Sequence, residues 1–308
     1  MEQQTTKSIT TAIEEFLWHC RFEKNLDDKT INAYNVDLRQ FAGTISSISA
    51  LNEISKSEIK KYLQSISHFQ HKTIKRKLAS LRAMLNYFEC EDESYINPMR
   101  KMQIRMREPM RLPTVMNLDE LRKILRTVHL NATEPATHYS TIAAIRNIAI
   151  VELLFATGMR VSELCNLKNK DVDMIQGTIR IIGKGDKERV IYVCQEETVS
   201  ALTQWIGTKS DNDGERPFFT NRLHRSLSSQ SVRHLVSRLV QDAGLNKHIT
   251  PHTFRHTLAT LLLEEDVDIR YIQSILGHSS ISTTQIYTHV NLSKQKQIFQ
   301  VKHPRRHI

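Results

Sequence analysis

The chain has 308 residues, 40% of them hydrophobic and 25% charged, which fits one large globular domain or, preferably, two ordinary ones rather than a disordered segment. Lys and Arg number 43 against 33 Asp and Glu, and the net charge of +10 favours a polyanionic partner, nucleic acid before an acidic membrane surface. An apolar run of roughly 18 residues and a signal-peptide pattern are both missing from the sequence, which predicts a soluble, cytoplasmic protein without membrane insertion. The four cysteines lack C-x-x-C spacing and predict neither a zinc site nor a disulfide framework.

Residues 1–100 are predicted to form an amino-terminal, DNA-binding domain of four amphipathic helices. The fourth apolar stripe, from Ile74 to Phe88, is nearly ideal, and Ser55 with Glu58 forms a capping box before the third. Basic residues of the fourth helix are expected off its apolar face, where they would reach phosphates; a solvated charged face is the competing interpretation. These residues are Lys72, Lys75, Arg76, Lys77 and Arg82.

Residues 101–116 are basic, contain prolines and show no sustained periodicity, which predicts an interdomain linker. A basic linker between two basic domains would follow the DNA backbone, and we expect Arg105 and Arg107 to contact it.

The second predicted domain, residues 117–290, is mixed in structure. A strongly apolar helix from about Tyr139 to Ala156 is expected at its centre. Residues 177–193 alternate β-branched and charged side chains around Gly185-Asp186, which predicts a β-hairpin. Thr250 and Pro251 supply the N-cap and first residue of a later helix.

Four segments of this domain place unusual polar residues at the edges of apolar elements. In chain order they hold Arg160 with Glu163, then Lys184, then His252, Arg255 and His256 on one helical face, and finally His278 and Tyr287. Each has an ordinary alternative: a structural ion pair between Arg160 and Glu163, a solvated hairpin-tip lysine, helix-end histidines or a core tyrosine. A metal pair of His252 and His256 is not favoured, because the metalloprotease pattern needs Glu where Thr253 stands.

Four motifs, ATGMRVSEL, GKGDKER, PHTFRHTLATLLLE and LGHSSISTTQIYTHV, resemble the tyrosine recombinase (phage integrase) family and its Xer-like branch. The resemblance covers nearly the whole chain. It implies a mainly α-helical, two-domain DNA clamp with a small β-hairpin or sheet: a helical SAM-like core-binding domain and a mixed α/β catalytic domain. The six catalytic residues of the family map, in the right order, onto Arg160, Lys184, His252, Arg255, His278 and Tyr287.

The chemistry accounts for the main members of this set. Attack on a phosphodiester concentrates negative charge on the non-bridging oxygens, and the permanently charged guanidinium groups of Arg160 and Arg255 suit that charge. Tyr287 would be the nucleophile and would form a 3′-phosphotyrosyl link with a free 5′ hydroxyl. A phenol has an ordinary pKa near 10 and needs activation, for which His252 is the candidate.

The resemblance also implies the supporting roles. Lys184 would protonate the departing 5′ oxygen, and His278 would hydrogen-bond the phosphate. Glu163 would orient the groups that touch the phosphate, and His256 is expected to give structural support. Neither a metal nor a nucleotide cofactor is required by this chemistry.

Residues 291–308 contain Ile298, Phe299 and Val301 among basic residues, and the resemblance implies that this tail docks on a neighbouring protomer. The expected assembly is a homo-tetramer, or a hetero-tetramer with a paralogue, on two double-stranded DNA sites. An accessory DNA-bending protein or a DNA translocase is a further expected partner, and the protein would be nucleoid-associated.

Two other classes compete with recombination. A type IB topoisomerase would use the same chemistry without exchanging strands, and a non-catalytic DNA-binding relative would not need Tyr287. Chromosome dimer resolution and mobile-element integration or excision both stay open, because target specificity lies in groove contacts and DNA deformation. Residues 129–140 look longer than the matching connection in compact chromosomal enzymes, which disfavours a housekeeping role.

Overall fold

A computed structural model describes residues 7–45, 49–104, 113–133, 137–183, 188–209 and 213–277. The chain divides into two compact units, residues 1–110 and 111–308. Both described units are mainly helical, and the second contains one small antiparallel sheet, as the sequence predicted.

In the described residues of the amino-terminal unit, four α-helices surround one apolar core. The Ser55 and Glu58 capping box is present at the start of the third helix, as its sequence predicts. Buried aromatic side chains from three helices, Phe16, Phe41 and Tyr62, meet in the core. The helices are α1 (Ile9–Phe22), α2 (Asp28–Thr44), α3 (Lys56–Ser65) and α4 (His71–Glu91), with a 3-10 helix at Leu51–Glu53.

A buried carboxylate changes the expected basic face of α4. Asp37 of α2 is 1% exposed and accepts hydrogen bonds from Lys77 Nζ at 3.1 Å and Ser80 Oγ at 2.9 Å. Arg76 also pairs with Asp37 while staying half-exposed. The prediction that Lys77 lies off the apolar face is therefore wrong: its side chain is buried because it neutralises Asp37. The other predicted basic residues, Lys72, Lys75 and Arg82, are exposed.

The second unit surrounds one central apolar helix, α6 (His138–Thr157). By length and composition alone α6 is apolar enough to cross a membrane, but it packs against α5, α8 and α10 within the core. This confirms the central helix predicted from the sequence. The other helices are α5 (Leu118–Leu130), α7 (Val161–Asn166), α8 (Glu196–Gly207), α9 (Ser229–Asp242), α10 (Pro251–Glu264) and α11 (Ile269–Leu276), with a 3-10 helix at Asn169–Asp171.

Within the part of the chain that the structure describes, the sheet has three antiparallel strands in the order β1 (Val172–Asp173), β2 (Thr178–Ile182) and β3 (Glu188–Tyr192). Strands β2 and β3 form the predicted hairpin, with Thr178 opposite Tyr192 and Ile182 opposite Glu188. Strand β1 was not predicted, because two residues are too few to show an alternating pattern.

Candidate active site

The position of Arg160 is set by the end of the central helix. Gly158 ends α6 with φ +57°, and Arg160 is the N-cap residue of the short helix α7. The backbone N–H of Arg160 donates to Glu163 Oε2 at 2.8 Å, and its guanidinium Nη1 donates to Oε1 at 2.7 Å. The structural ion pair weighed above therefore exists, and the same pair orients the guanidinium at the helix junction.

Arg255 reaches the same junction from α10, which begins at Pro251 after its N-cap Thr250. The residue is only 3% exposed. Its Nη1 donates to the carbonyl oxygen of Gly158 at 2.9 Å, and its Nη2 donates to that of Leu276 at 2.6 Å. These two bonds fix a buried positive charge between the ends of α6 and α11.

A third arginine, which sequence reasoning missed, completes the group. Arg189 of β3 donates from Nη1 to Glu163 Oε1 at 3.0 Å and from Nη2 to Oε2 at 2.7 Å. Its Nε donates to the carbonyl oxygen of Ile275 at 3.1 Å. The only signal in the sequence was its place in the GKGDKER motif, since its carboxylate partner lies on another element, 26 residues earlier.

The arginine cluster, defined here as Arg160, Arg189 and Arg255, converges on the carboxyl end of α11. Arg160 Nη2 donates to the carbonyl oxygen of Gly277 at 3.0 Å, so that Ile275, Leu276 and Gly277 each accept from a different arginine. Carbonyls at a helix end lack intrahelical partners and carry the negative end of the helix dipole, which cations stabilise. The last described residue therefore lies in the cluster, directly before His278 in sequence.

Glu163 is ionised in this environment. Its side chain is 4% exposed, and burial alone would raise its pKa. Hydrogen bonds from Arg189 and Arg160 and the charge of Arg189 outweigh burial and lower the pKa below its ordinary value. Glu163 is thus a fixed negative charge that orients two of the three arginines.

The histidines of α10 are biased toward their neutral forms. The pKa of His252 is lowered, first by desolvation and then by the positive charges of Arg255, Arg233 and Arg160. The residue nevertheless keeps access to solvent. Burial, followed by His252 and Arg255, lowers the pKa of His256 to about 4. A neutral imidazole beside guanidinium groups can accept a proton while the guanidiniums hold an anion.

Several predicted site residues lie outside the described residues: Lys184, His278, Tyr287, Arg105 and Arg107. The described residues bring together Arg160, Glu163, His252, Arg255 and His256. Across the described part of the chain, the His, Cys, Asp and Glu side chains form no cluster of three that could hold a metal ion.

The chain matches two family descriptions: "Phage integrase family" over residues 114–294 and "Phage integrase, N-terminal SAM-like domain" over residues 13–91. It is 44% identical over 304 residues to a tyrosine recombinase of Agathobacter rectalis, covering 97% of this chain and 98% of that protein. Tyrosine recombinase XerD of Oceanobacillus iheyensis is 33% identical over 305 residues, with 96% and 98% covered. The crystal structure of XerH site-specific recombinase in a post-cleavage complex with palindromic difH substrate aligns with TM-score 0.75 at 25% identity, covering 96% of this chain and 84% of that chain.

An integrase-type catalytic unit joined to a SAM-like unit, with paired arginines at one helix junction, defines an enzyme that acts on DNA strands. The chain belongs to the tyrosine recombinase (phage integrase) family, in its Xer-like branch, and is a site-specific recombinase.

Proposed function

We propose that this recombinase cleaves each DNA strand through a covalent 3′-phosphotyrosyl link to Tyr287 and rejoins it to a partner strand. The observation that carries the proposal is the convergence of Arg160 and Arg255, from separate elements, on the end of α11. Two fixed guanidinium groups can bind two oxygens of one phosphate and stabilise the charge that develops during attack.

The remaining roles follow from the chemistry of the step. The Tyr287 oxygen attacks the phosphorus, the bond to the 5′ oxygen breaks, and the phenolic proton passes to His252. Lys184 gives a proton to the departing 5′ oxygen, and His278 donates to the phosphate. Reversal with a different 5′ hydroxyl rejoins the strands without any external energy source, because the phosphotyrosyl bond conserves the phosphodiester energy.

We further propose that the enzyme acts as a tetramer on two DNA duplexes, in the cytoplasm and at the nucleoid, with the basic segment 101–116 following the DNA backbone. Residues 291–308 would dock on a neighbouring protomer through Ile298, Phe299 and Val301. A groove of about 760 Å³ beside α5 and α6, lined by Leu125, Leu130, Phe155, Ala156 and Leu258 among others, supports this assignment because it offers apolar surface to an apolar segment. Truncation after residue 290 should leave DNA binding by one protomer intact and weaken assembly on DNA, as measured by sedimentation.

The function is tested by recovering covalent protein–DNA adducts. Purified protein is mixed with fragmented genomic DNA of the source cell, denatured in detergent, and the ends of the attached DNA are sequenced. We expect attachment at one recurring sequence, and none with Tyr287→Phe. Failure of the folded wild-type protein to form an adduct, also on nicked suicide substrates, would overturn the proposal and leave a DNA-binding relative.

A topology assay separates strand exchange from relaxation. A supercoiled plasmid with two copies of the recovered site should yield two circles or an inversion. A ladder of relaxed topoisomers without exchanged strands would instead indicate a type IB topoisomerase. The sequence found at the attachment site distinguishes a chromosomal site from the ends of a mobile element.

A further inference from the structure

Arg189 connects three separate segments around the site. It belongs to β3 of the β2–β3 hairpin, binds Glu163 of α7 with both terminal nitrogens at 3.0 and 2.7 Å, and binds the Ile275 carbonyl of α11 at 3.1 Å. Its side chain is 12% exposed, so the contacts are made away from bulk solvent, where they are stronger than on the surface.

We propose that Arg189 is a positioning residue for strand cleavage: it holds Glu163 and the end of α11 in fixed relation to the hairpin and thereby fixes the guanidinium of Arg160. The inference rests on the proposed function, because Arg160 matters for cleavage only if the site handles a scissile phosphate. Arg189 itself acts through Glu163 and α11 and is assigned no contact with DNA.

The dependence of Arg160 on Arg189 follows from the sharing of one carboxylate. Glu163 Oε1 accepts from Nη1 of both Arg160 and Arg189, at 2.7 and 3.0 Å. With Arg189 removed, Arg160 is the one guanidinium partner that the described residues still offer to the buried carboxylate. The closer pairing that results would draw Arg160 toward Glu163 and away from an incoming phosphate.

The shape of the site also requires an arginine at position 189. A guanidinium is planar and directs separate N–H groups at Glu163 and at the Ile275 carbonyl, whereas a lysine ammonium is a single point charge. Gly277 has φ +66°, and a Cβ there would lie 2.9 Å from Arg189 Nη1 and 3.1 Å from its Cδ. Arg189 therefore lies directly against the residue at which the chain leaves α11.

Arg180 of β2 provides a matched control in the same sheet. It forms an ion pair with Asp171 at 2.8 Å and a longer one with Glu188 at 3.6 Å, and its side chain is 39% exposed. Arg180→Ala thus removes a comparable charge from the hairpin. The described contacts of Arg180 do not involve Glu163 or α11.

The test is single-turnover cleavage of a suicide substrate at saturating DNA, with the rate constant and the final amplitude recorded separately. The amplitude reports the fraction of folded, competent enzyme, whereas the rate constant reports the geometry of the step. We expect Arg189→Ala to lower the rate constant about 10- to 100-fold, as misplacement of a reacting group by about 1 Å does. Arg189→Lys should restore only part of it, and Arg180→Ala should cleave at the wild-type rate.

Two further measurements define the mechanism. In a Glu163→Gln background, Arg189→Ala should cause much less additional loss than alone, because both residues act through one contact. Guanidinium ion added to Arg189→Ala should recover part of the rate. A wild-type rate constant with reduced amplitude in Arg189→Ala would overturn the inference and leave a purely structural residue; a wild-type enzyme that forms no Tyr287 adduct would instead overturn the proposed function.

Discussion

The guanidinium Nη1 of Arg255 donates at 2.9 Å to the carbonyl oxygen of Gly158, a residue 97 positions earlier in the chain. The bond joins the start of α10 to the end of the central helix α6. Gly158 has φ +57°, and a Cβ there would lie 2.7 Å from Leu276 Cδ2 and 3.0 Å from Leu258 Cδ2. Glycine is thus required at position 158 both by the left-handed backbone and by the close packing, at the point where Arg255 is anchored.

Substitution at Gly158 should lower the free energy of unfolding for both reasons. We expect Gly158→Ala to lower the free energy of unfolding by about 1–2 kcal/mol for the left-handed backbone and by about 1–3 kcal/mol more for the clash, measured by urea unfolding. Gly244→Ala is the matched control, because Gly244 has φ +65° and no atom of the described residues lies within 4 Å of the added Cβ. Equal losses of unfolding free energy at the two positions would mean that the Leu276 side chain moves aside without cost.

The basic residues of α4 should separate into two groups. Lys77→Ala is expected to reduce the free energy of unfolding by about 3 kcal/mol, near the lower end for a broken buried pair, because Arg76 and Ser80 still contact Asp37. Lys72→Ala should leave stability unchanged, weaken DNA binding across sequences, and reduce the salt dependence of binding by about one ion. The measurements are urea unfolding and DNA titration at several salt concentrations; a stable Lys77→Ala variant would contradict the buried pairing.

The contribution of Glu163 to the free energy of unfolding should be lost in acid. Its pKa is lowered in the folded protein, whereas the unfolded chain has the ordinary value of about 4.3. The contribution is therefore complete above that ordinary value and is lost as pH falls through the folded pKa. Urea unfolding across acidic pH should show a steeper loss of unfolding free energy for wild type than for Glu163→Gln. Parallel curves would show that the arginines do not lower the pKa of Glu163.

His256 should affect the free energy of unfolding at higher pH than Glu163 does. Its pKa is about 4 in the folded protein against about 6.5 in the unfolded chain, so the unfolded chain binds more protons between these values. Stability should therefore decline as pH falls from about 6.5 to about 4, and the decline should be smaller in His256→Gln. His234→Gln is a suitable control, because His234 is exposed on α9. The measurement is again unfolding by urea across this pH range.

His252 should set the acidic limb of the cleavage profile if it accepts the tyrosine proton. Because desolvation and nearby arginines lower its pKa, cleavage at limiting DNA should persist below pH 6.5, the ordinary histidine value, before it falls. His252→Gln should be slow and should lack that limb in single-turnover assays. A limb that remains in His252→Gln would assign it to another group.

Much of the fold could be predicted from the sequence because it depends on local patterns. The apolar stripe of α4, the apolar length of α6 and the alternation around the hairpin each specify one element. Arg189 could not be found in this way, because its role depends on Glu163 and Ile275, which topology alone brings to it. Lys77 was misplaced for the same reason: a lysine beside an apolar stripe is usually solvated, and only the packing of α2 on α4 buries Asp37 against it.

The three arginine contacts at the end of α11 also limit how far Tyr287, the proposed nucleophile, can lie from the arginine cluster. Residue 277 is held at the arginine cluster, and Tyr287 follows ten residues later in the sequence. Ten residues span at most about 36 Å, so Tyr287 is tethered within about that distance of Gly277. Such a tether corresponds to a local concentration in the millimolar range. If Tyr287 is the nucleophile, as proposed, this tether makes attack on a phosphate bound at the same arginines an intramolecular step.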